Sequence, residues 1–147
     1  MPSHVERVDL PYTPEQVFDL VADIESYPRF LPHVTTARIT ARDGNTLLVD
    51  QQVGFKILNL RFRTRAVLER PLRITVTCED SAFGRFTDQW SFAPTETGGT
   101  RLQCRTEFTF RSLLFAGAMG AVFGELLRTT VRGFQLRAHQ LYDRHAP

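Results

Sequence analysis

The sequence predicts an α+β fold in which a curved antiparallel sheet of about seven strands wraps around a long C-terminal helix, with one or two short helices after the first strand. Two observations predict it. Six consecutive segments between residues 37 and 111 alternate apolar and polar side chains and are separated by short turns, as in an antiparallel meander with one covered face. The last segment, 112–142, repeats apolar side chains at spacings of three and four, which is typical of an amphipathic helix.

Bulk composition indicates one ordinary globular domain over residues 1–147. Apolar residues make up 42% and the net charge is only +2, which is too weak a signal for DNA binding. The two cysteines and four histidines follow no metal-site or disulfide spacing, so we expect no metal, no cofactor and a reducing cytoplasmic setting. The longest uncharged stretch, 112–124, has 13 residues and is shorter than the ~20 that span a bilayer. Residues 1–10 carry charges and no apolar run, so we expect no signal peptide.

The N-terminal part of the chain is predicted to form a strand at 5–12 and then a helix that starts at 13–16. That segment reads Thr-Pro-Glu-Gln, with Thr as N-cap, Pro at the first helical position and Gln closing a capping box. We expect this helix to end near 27–28 and a short turn at 29–31 to follow. Its apolar stripe is Val17, Leu20, Val21 and Ile24.

The six strands share a covered face that carries four polar side chains as well as apolar ones. The strands are predicted at 37–41, 47–57, 60–66, 74–79, 86–92 and 101–111, with turns at 43–45, 58–59 and 97–99 and a break at Pro71. Gln51, Thr64, Asp88 and Thr106 fall on the covered parity, where burial without a partner is costly. They indicate either polar contacts for a ligand or internal water, or a bulge that turns them outward. Asp88 is a candidate acid or base, with a position at the surface or at a cavity mouth as the favoured alternative.

The C-terminal helix is predicted to cross the whole covered face, since about 30 residues span roughly 45 Å. One face is apolar, and arginine, glutamine and histidine fall opposite at Arg128, Arg132, Gln135 and His139. A curved sheet around such a helix leaves space that a few side chains do not fill, which predicts a cavity between them. The stripe consists of Met119, Phe123, Leu127, Thr130, Phe134, Ala138 and Leu141.

A family resemblance rests on a motif near the N-terminus. Val-Phe-Asp-Leu-Val at 17–21, followed at 23–32 by Asp-Ile-Glu-Ser-Tyr-Pro-Arg-Phe-Leu-Pro, resembles the opening of the coenzyme-Q-binding START-domain family. That family includes the mitochondrial ubiquinone chaperones and the bacterial ribosome association toxin. Further matches are Val53-Gly54-Phe55, Phe83, Trp90-Ser91-Phe92, Glu107-Phe108-Thr109-Phe110, Val122-Phe123-Gly124-Glu125-Leu126 and Phe134-Gln135-Leu136-Arg137-Ala138. The chain departs from the family pattern at His33, at Ser81-Ala82-Phe83 and at Asp88.

The resemblance implies a START-like helix-grip fold and a cavity for ubiquinone or a similar lipid. The alternative interpretation of the aromatic side chains is ordinary core packing, because each buries 150–250 Å². The candidate cavity residues are Phe55, Phe62, Thr64, Phe86, Trp90, Thr106, Phe108, Phe110, Met119, Phe123, Leu127 and Phe134.

A gate for the ligand is predicted where small or apolar residues interrupt regular structure. The helix begins with Gly117, Gly120 and Gly124, which either make it mobile or let it pack closely on the sheet. Arg137, near the apolar stripe, is either a polar handle for a head group or a side chain that reaches the rim. The apolar loop across from the glycines contains Tyr27, Pro28, Phe30, Leu31 and Pro32.

Four functions remain open from the sequence. The first is a non-enzymatic ubiquinone chaperone that supports respiration, in the cytoplasm or peripherally at the inner membrane of a bacterium. The second is a ribosome association toxin that binds the large ribosomal subunit and blocks subunit joining. The third is a polyketide cyclase or aromatase, and the fourth a lipid-sensing module. Arginine rows on the wet face of two strands are either an ordinary solvated surface or a site for anionic lipid or ribosomal RNA. The rows are Arg61, Arg63 and Arg65, and Arg101, Arg105 and Arg111.

Overall fold

The predicted architecture is confirmed by a computed structural model, which describes residues 3–55, 58–81, 84–110 and 113–143. The described residues form seven strands, two α-helices and one short 3-10 helix, which lies between the first α-helix and the second strand. The strands are β1 (Ser3–Leu10), β2 (Val34–Asp43), β3 (Thr46–Phe55), β4 (Leu58–Glu69), β5 (Arg73–Ser81), β6 (Gly84–Pro94) and β7 (Thr100–Phe110). The helices are α1 (Pro14–Ala22), the 3-10 helix Ile24–Arg29 and α2 (Leu113–Tyr142).

All seven strands form one antiparallel sheet in the order β1-β7-β6-β5-β4-β3-β2. Strands β2 to β7 therefore make the predicted meander, and β1 joins it beside the last strand. β1 ends at Leu10, two residues earlier than predicted, because Pro11 has no N–H to continue the ladder. Gly99 lies against this junction: a Cβ there would come within 2.3 Å of the Leu10 carbonyl oxygen, so only glycine fits.

The alternation along the strands places the expected side chains against the helix. Leu47, Val49 and Val53 of β3 are buried, and Leu102 and Cys104 of β7 are fully buried. β2 departs from the prediction, because a register irregularity between Ile39 and Ala41 interrupts the alternation and Ala41 is exposed. The free cysteines Cys78 and Cys104 lie on β5 and β7, with β6 between them.

The first helix begins as predicted and ends earlier. The Thr13 hydroxyl accepts from the Gln16 backbone N–H and the Gln16 side chain accepts from the Thr13 N–H, which completes the capping box. The α-helix stops at Ala22, and the 3-10 helix follows with Pro28 inside it. A proline there would remove an α-helical hydrogen bond and clash with the preceding turn, so the tighter helix replaces the predicted continuation and the predicted turn at 29–31.

α2 covers the sheet with the predicted stripe. Phe134 and Ala138 are fully buried, Phe123 and Leu127 are buried, and Arg128 and Arg132 on the opposite side are exposed. Val131, which the spacing argument left out, is also buried. Among the helical residues that the structure describes, no helix is long and apolar enough to cross a membrane.

The C-terminal end of α2 is attached to the segment after β1. The Tyr12 hydroxyl donates to the Asp143 carboxylate and also contacts Nδ1 of His139. The Tyr12 carbonyl accepts a 2.7 Å hydrogen bond from the buried Thr100 hydroxyl at the start of β7. These contacts hold the last turn of α2, the β1 end and β7 together.

Candidate functional site

A cavity of about 140 Å³ lies between the sheet and α2. This volume is close to the ~150 Å³ apolar cavity that accepts a benzene molecule, so it is sized for one substituted ring. It is partly open rather than sealed. Its wall consists of Ile24, Tyr27, Leu31, His33, Val34, Gln51, Val53, Phe62, Thr64, Ala66, Val76, Phe86, Asp88, Trp90, Thr106, Phe108, Phe123, Leu126, Leu127, Thr130 and Phe134.

Aromatic rings in edge contact form two parts of the wall. At the centre, Trp90 meets Phe134 with ring centroids 5.3 Å apart and planes 87° apart, and Tyr27 meets the same Phe134 ring at 5.3 Å. Toward the hairpin ends, Phe62 and Phe86 form a T-shaped pair at 5.6 Å. These geometries are the favourable ones for aromatic pairs, so the wall is a fixed surface rather than a loose one.

The last aromatic pair of the wall joins the sheet to the helix. Phe108 of β7 lies 4.5 Å, centroid to centroid, from Phe123 of α2. Both side chains are buried, and together they form a small apolar cluster separate from the main core. The cavity therefore runs from the Trp90–Phe134 contact to this second cluster.

A carboxyl group lies inside the cavity on β6. Asp88 pairs across the sheet with Val76 of β5 and Thr106 of β7, and Thr106 hydrogen-bonds to it. Burial raises the pKa of Asp88 to about 6, and the Thr106 hydrogen bond opposes the rise. Asp88 keeps some exposed surface because it faces the cavity. The structure places Asp88 on the cavity wall and not on the outer face of the sheet, because no bulge turns this strand outward at Asp88.

The thiol and phenol near Asp88 are both neutral. Cys104 Sγ is 3.7 Å from the Thr106 hydroxyl, and burial raises the pKa of this thiol, with the Asp88 carboxyl adding to the effect. Burial also raises the pKa of Tyr27, whose hydroxyl donates to the Val21 carbonyl. Neither group ionises near neutral pH.

His33 is held as a neutral imidazole by α2. Its Nε2 lies 3.0 Å from the Thr130 hydroxyl, which itself donates to the Leu126 carbonyl at 2.8 Å. Because Thr130 has only one hydrogen and gives it to Leu126, Nε2 must be the protonated nitrogen and Nδ1 an acceptor. Burial lowers the pKa of His33 to about 4, so it remains uncharged above that pH.

Most predicted cavity residues lie on the wall. The structure brings together there Phe62, Thr64, Phe86, Trp90, Thr106, Phe108, Phe123, Leu127 and Phe134, with the inward polar residues Gln51 and Asp88. The side chains of Phe55, Phe110 and Met119 lie outside the described residues.

The predicted gate residues separate into different environments. Tyr27 and Leu31 line the cavity, whereas Pro28 and Pro32 are exposed. Phe30 packs on Phe134 at 5.7 Å and carries Arg137 over its ring, with the guanidinium carbon 5.4 Å from the ring centroid. Arg137 is not part of the described cavity wall. The Gly117 and Gly120 positions lie outside the described side chains, and Gly124 is buried, where a Cβ would come within 3.0 Å of the His4 ring.

Sequence reasoning missed the contribution of the segment before β2. His33, just before β2, and Val34, its first residue, line the cavity, and neither belongs to a predicted alternating or helical pattern. His33 was visible only as a departure from the family motif. Its role follows from the backbone: the His33 carbonyl accepts from the Gly54 N–H at 2.8 Å, which pins the segment onto β3 and turns the ring toward α2.

The two arginine rows on the wet face differ in how many of their arginines pair with a carboxylate. On β7, Arg101 pairs with Asp9 at 2.9 Å and Arg105 with Glu107 at 3.1 Å. On β4, Arg63 pairs with Asp50 at 2.9 Å, whereas Arg61 and Arg65 meet no carboxylate among the described residues. Arg111 lies outside those residues. The β4 row therefore keeps the excess positive charge.

Comparison with known proteins gives one family and two kinds of named relative. A family model described as "Polyketide cyclase / dehydrase and lipid transport" matches residues 10–135. The ribosome association toxin RatA of Escherichia coli K12 is 31% identical over 143 residues, covering 97% of this chain and 90% of that protein. The mitochondrial coenzyme Q-binding protein coq10 of Schizosaccharomyces pombe is 28% identical over 135 residues, covering 88% and 82%.

Solved structures share the fold. An 18 kDa protein from Caulobacter crescentus is 34% identical with a TM-score of 0.79, over 97% of this chain and 99% of that one. A START superfamily protein from Mycobacterium smegmatis, 18% identical, has a TM-score of 0.85 over 96% and 99%. The Zhui aromatase/cyclase from Streptomyces, 13% identical, has a TM-score of 0.89 over 99% and 98%. At such low identity the last two support the fold alone.

Proposed function

The chain belongs to the polyketide cyclase / dehydrase and lipid transport family, and on that premise we propose that it is a non-enzymatic chaperone for ubiquinone or a related polyprenyl lipid. The ligand's ring occupies the cavity between the sheet and α2. The observation that carries the proposal is the cavity itself: an aromatic wall around about 140 Å³ of space at the place where a core would otherwise be filled. Native cores rarely leave such a void, because empty space in a core costs stability.

The size of the cavity implies that only the ring of the proposed ligand lies inside it. A volume of about 140 Å³ suits a single substituted ring and is too small to enclose a long isoprenoid tail as well. We expect the tail to follow the part of the wall that Phe62, Phe86, Phe108 and Phe123 form. These rings supply the apolar surface that a tail requires. We therefore expect affinity to rise with the first isoprene units and then to level off.

The polar wall residues give the ring an orientation. Gln51, Thr64, Asp88, Thr106 and Thr130 offer hydrogen-bonding groups from strands β3, β4, β6 and β7 and from α2. A few positioned polar groups in an otherwise apolar pocket are typical of sites that recognise a small molecule. A ring with oxygen substituents can form further hydrogen bonds with these groups, whereas a plain hydrocarbon can form none.

Direct binding tests the proposal through an internal reporter. Trp90 is the only tryptophan in the chain and lies on the cavity wall, so a bound quinone quenches its fluorescence. We expect saturable quenching by ubiquinone with one isoprene unit, and native mass spectrometry of the protein from its own host to show a bound polyprenyl lipid. Val76→Phe, which fills the cavity from β5, should abolish both signals.

The matched control is the neighbouring residue of the same strand. Thr75 is not a wall residue, so Thr75→Phe should bind as the wild type does. Thermal unfolding of both variants establishes that they are folded. A wild-type protein that arrives empty and shows no quenching would refute the chaperone proposal. Release of a chemically altered ligand would instead favour the cyclase alternative, with Asp88 and His33 as the candidate acid and base.

The arginine row of β4 favours a second candidate function, binding to the large ribosomal subunit, which is consistent with the ribosome association in the name of RatA. Arg61, Arg63 and Arg65 border a polar groove on the outer face, away from the cavity. Phosphate contacts by arginine release counterions and make binding strongly salt-dependent. Co-sedimentation with large subunits at several salt concentrations measures the binding constant. The slope of its logarithm against the logarithm of the salt concentration should decrease in magnitude by about one for each arginine replaced by alanine. Equal sedimentation of the triple variant and the wild type would remove this candidate.

A cytoplasmic location with transient contact at the inner membrane suits the first function. Delivery of a membrane lipid requires such contact, and the β4 arginines would also meet anionic head groups. Flotation with vesicles that contain anionic lipid tests this. Replacing the three arginines should reduce flotation without changing Trp90 quenching.

A further inference from the structure

The cavity contains a carboxylate with no positive charge facing it. Asp88 projects from β6, and no arginine or lysine occurs on the described wall. The titratable groups that surround it are Tyr27 from the 3-10 helix, His33 from the segment before β2 and Cys104 from β7. Burial keeps each of them neutral near pH 7, since it raises the pKa of Tyr27 and Cys104 and lowers the pKa of His33 to about 4.

Asp88 also has more acceptor capacity than its neighbours fill. An ionised carboxylate has about four lone-pair sites and no hydrogen to donate. Thr106 provides one donor, and Val76 on the other side provides none from its side chain. The hydroxyl of Thr130 on α2 is already committed to the Leu126 carbonyl. A ligand in the cavity therefore meets a strong acceptor that needs a donor.

Quinones and hydroquinones differ in just this property. A quinone ring has only acceptor oxygens, and a carboxylate beside them is repulsive. The corresponding hydroquinone has two hydroxyl donors with nearly the same shape. We propose that Asp88 makes the cavity selective for the reduced ligand, so that a hydroquinone binds in preference to its quinone. This inference rests on the proposed function, since it requires a quinone-type ring in the cavity.

Acid should remove the preference. Above about pH 6 Asp88 is ionised and accepts from a hydroquinone hydroxyl. Below that pH it gains a proton, and as a carboxylic acid it donates to a quinone carbonyl instead. His33 does not interfere between pH 5 and 8, because its pKa of about 4 keeps it neutral there.

The experiment compares both redox forms of one ligand on the full-length protein. Ubiquinone with one isoprene unit, and the same compound reduced with dithionite under argon, are titrated separately while Trp90 fluorescence is followed at pH 8 and at pH 5. At pH 8 we expect the dissociation constant of the hydroquinone to be about tenfold or more below that of the quinone, the range for a hydrogen bond to a charged group. At pH 5 the two constants should lie within about threefold.

Two variants separate selectivity from folding. Asp88→Asn keeps the shape and offers both a donor and an acceptor, so the preference at pH 8 should disappear while both forms still bind. Asp50→Asn removes an exposed carboxylate of β3 outside the cavity wall and should leave the preference unchanged. Equal binding of the two forms at pH 8, or a preference that survives in Asp88→Asn, overturns the inference and leaves the chaperone function intact. Binding of neither form overturns both.

Discussion

Replacing Asp88 by asparagine should stabilise the empty protein at neutral pH. In the unfolded chain the carboxyl has a pKa near 3.8, and in the folded cavity its pKa is about 6. The folded state therefore holds a proton over a range where the unfolded state has lost it. Stability falls as pH rises from about 4 to 6 and stays low above that range, because the native state binds more protons than the unfolded state.

The magnitude follows from the two pKa values. The interval between 3.8 and about 6, at 1.36 kcal/mol for each pH unit, corresponds to about 3 kcal/mol of lost stability at pH 7. Asparagine has no charge to bury, and its carbonyl still accepts from Thr106. The variant should thus exceed the wild type by up to about 3 kcal/mol at pH 7 and match it near pH 4.

Urea unfolding of both proteins at several values between pH 4 and pH 8 measures this difference. Taking the difference at each pH cancels the contributions of the other groups. Glu96→Gln, an exposed carboxylate in the β6–β7 turn, is the control and should change stability by no more than about 0.5 kcal/mol at any pH. A difference for Asp88→Asn that does not grow with pH would refute the reasoning, since it would mean that cavity water solvates the ionised carboxylate.

Two further predictions concern packing. Phe134 is 0% exposed and contacts the ring of Trp90, so Phe134→Ala should lower the free energy of unfolding in urea by about 3–5 kcal/mol. Leu136 on the same helix is 58% exposed, and Leu136→Ala should lower it by less than about 1 kcal/mol. Similar losses for both variants would contradict the placement of α2. Gly99→Ala should lower the melting temperature more than Gly44→Ala does, because a Cβ at Gly99 would lie 2.3 Å from the Leu10 carbonyl oxygen. Gly44 has a positive φ of 59°, but a Cβ there would meet no atom within 4 Å. The reverse order would show that the backbone at the junction between β1 and β7 can shift to accommodate the Cβ.

The inward face of the sheet could be predicted because a strand repeats every two residues. Alternation put Thr64, Asp88 and Thr106 on the covered parity, with an outward bulge as the alternative, and the structure places all three on the cavity wall. Alternation stops predicting which face a residue occupies where the register between strands is irregular, as it is before Ala41 on the edge strand β2. A single added residue reverses every side chain beyond it, and nothing local in the sequence marks that point.

The parts of the site that lack a period could not be predicted in the same way. His33 and Val34 reach the cavity because hydrogen bonds to distant residues position their backbone, including the one from Gly54. The ionisation of Asp88 was likewise hidden, since its pKa is raised by burial and therefore depends on the whole wall that surrounds it. Periodicity identifies which side of the sheet a residue faces, and only the assembled fold determines the electrostatic environment there.

The pairing of the first strand with the last has a consequence for synthesis of the chain. Ser3 lies opposite Glu107, so β1 leaves the ribosome roughly 100 residues before its partner exists. At 5–20 residues per second, this strand waits on the order of 5–20 s without a neighbour on the nascent chain. The meander from β2 to β7 can form progressively during that interval, because each strand pairs with the one made just before it. The cavity wall is complete only when α2 has also been made, after all seven strands of the sheet.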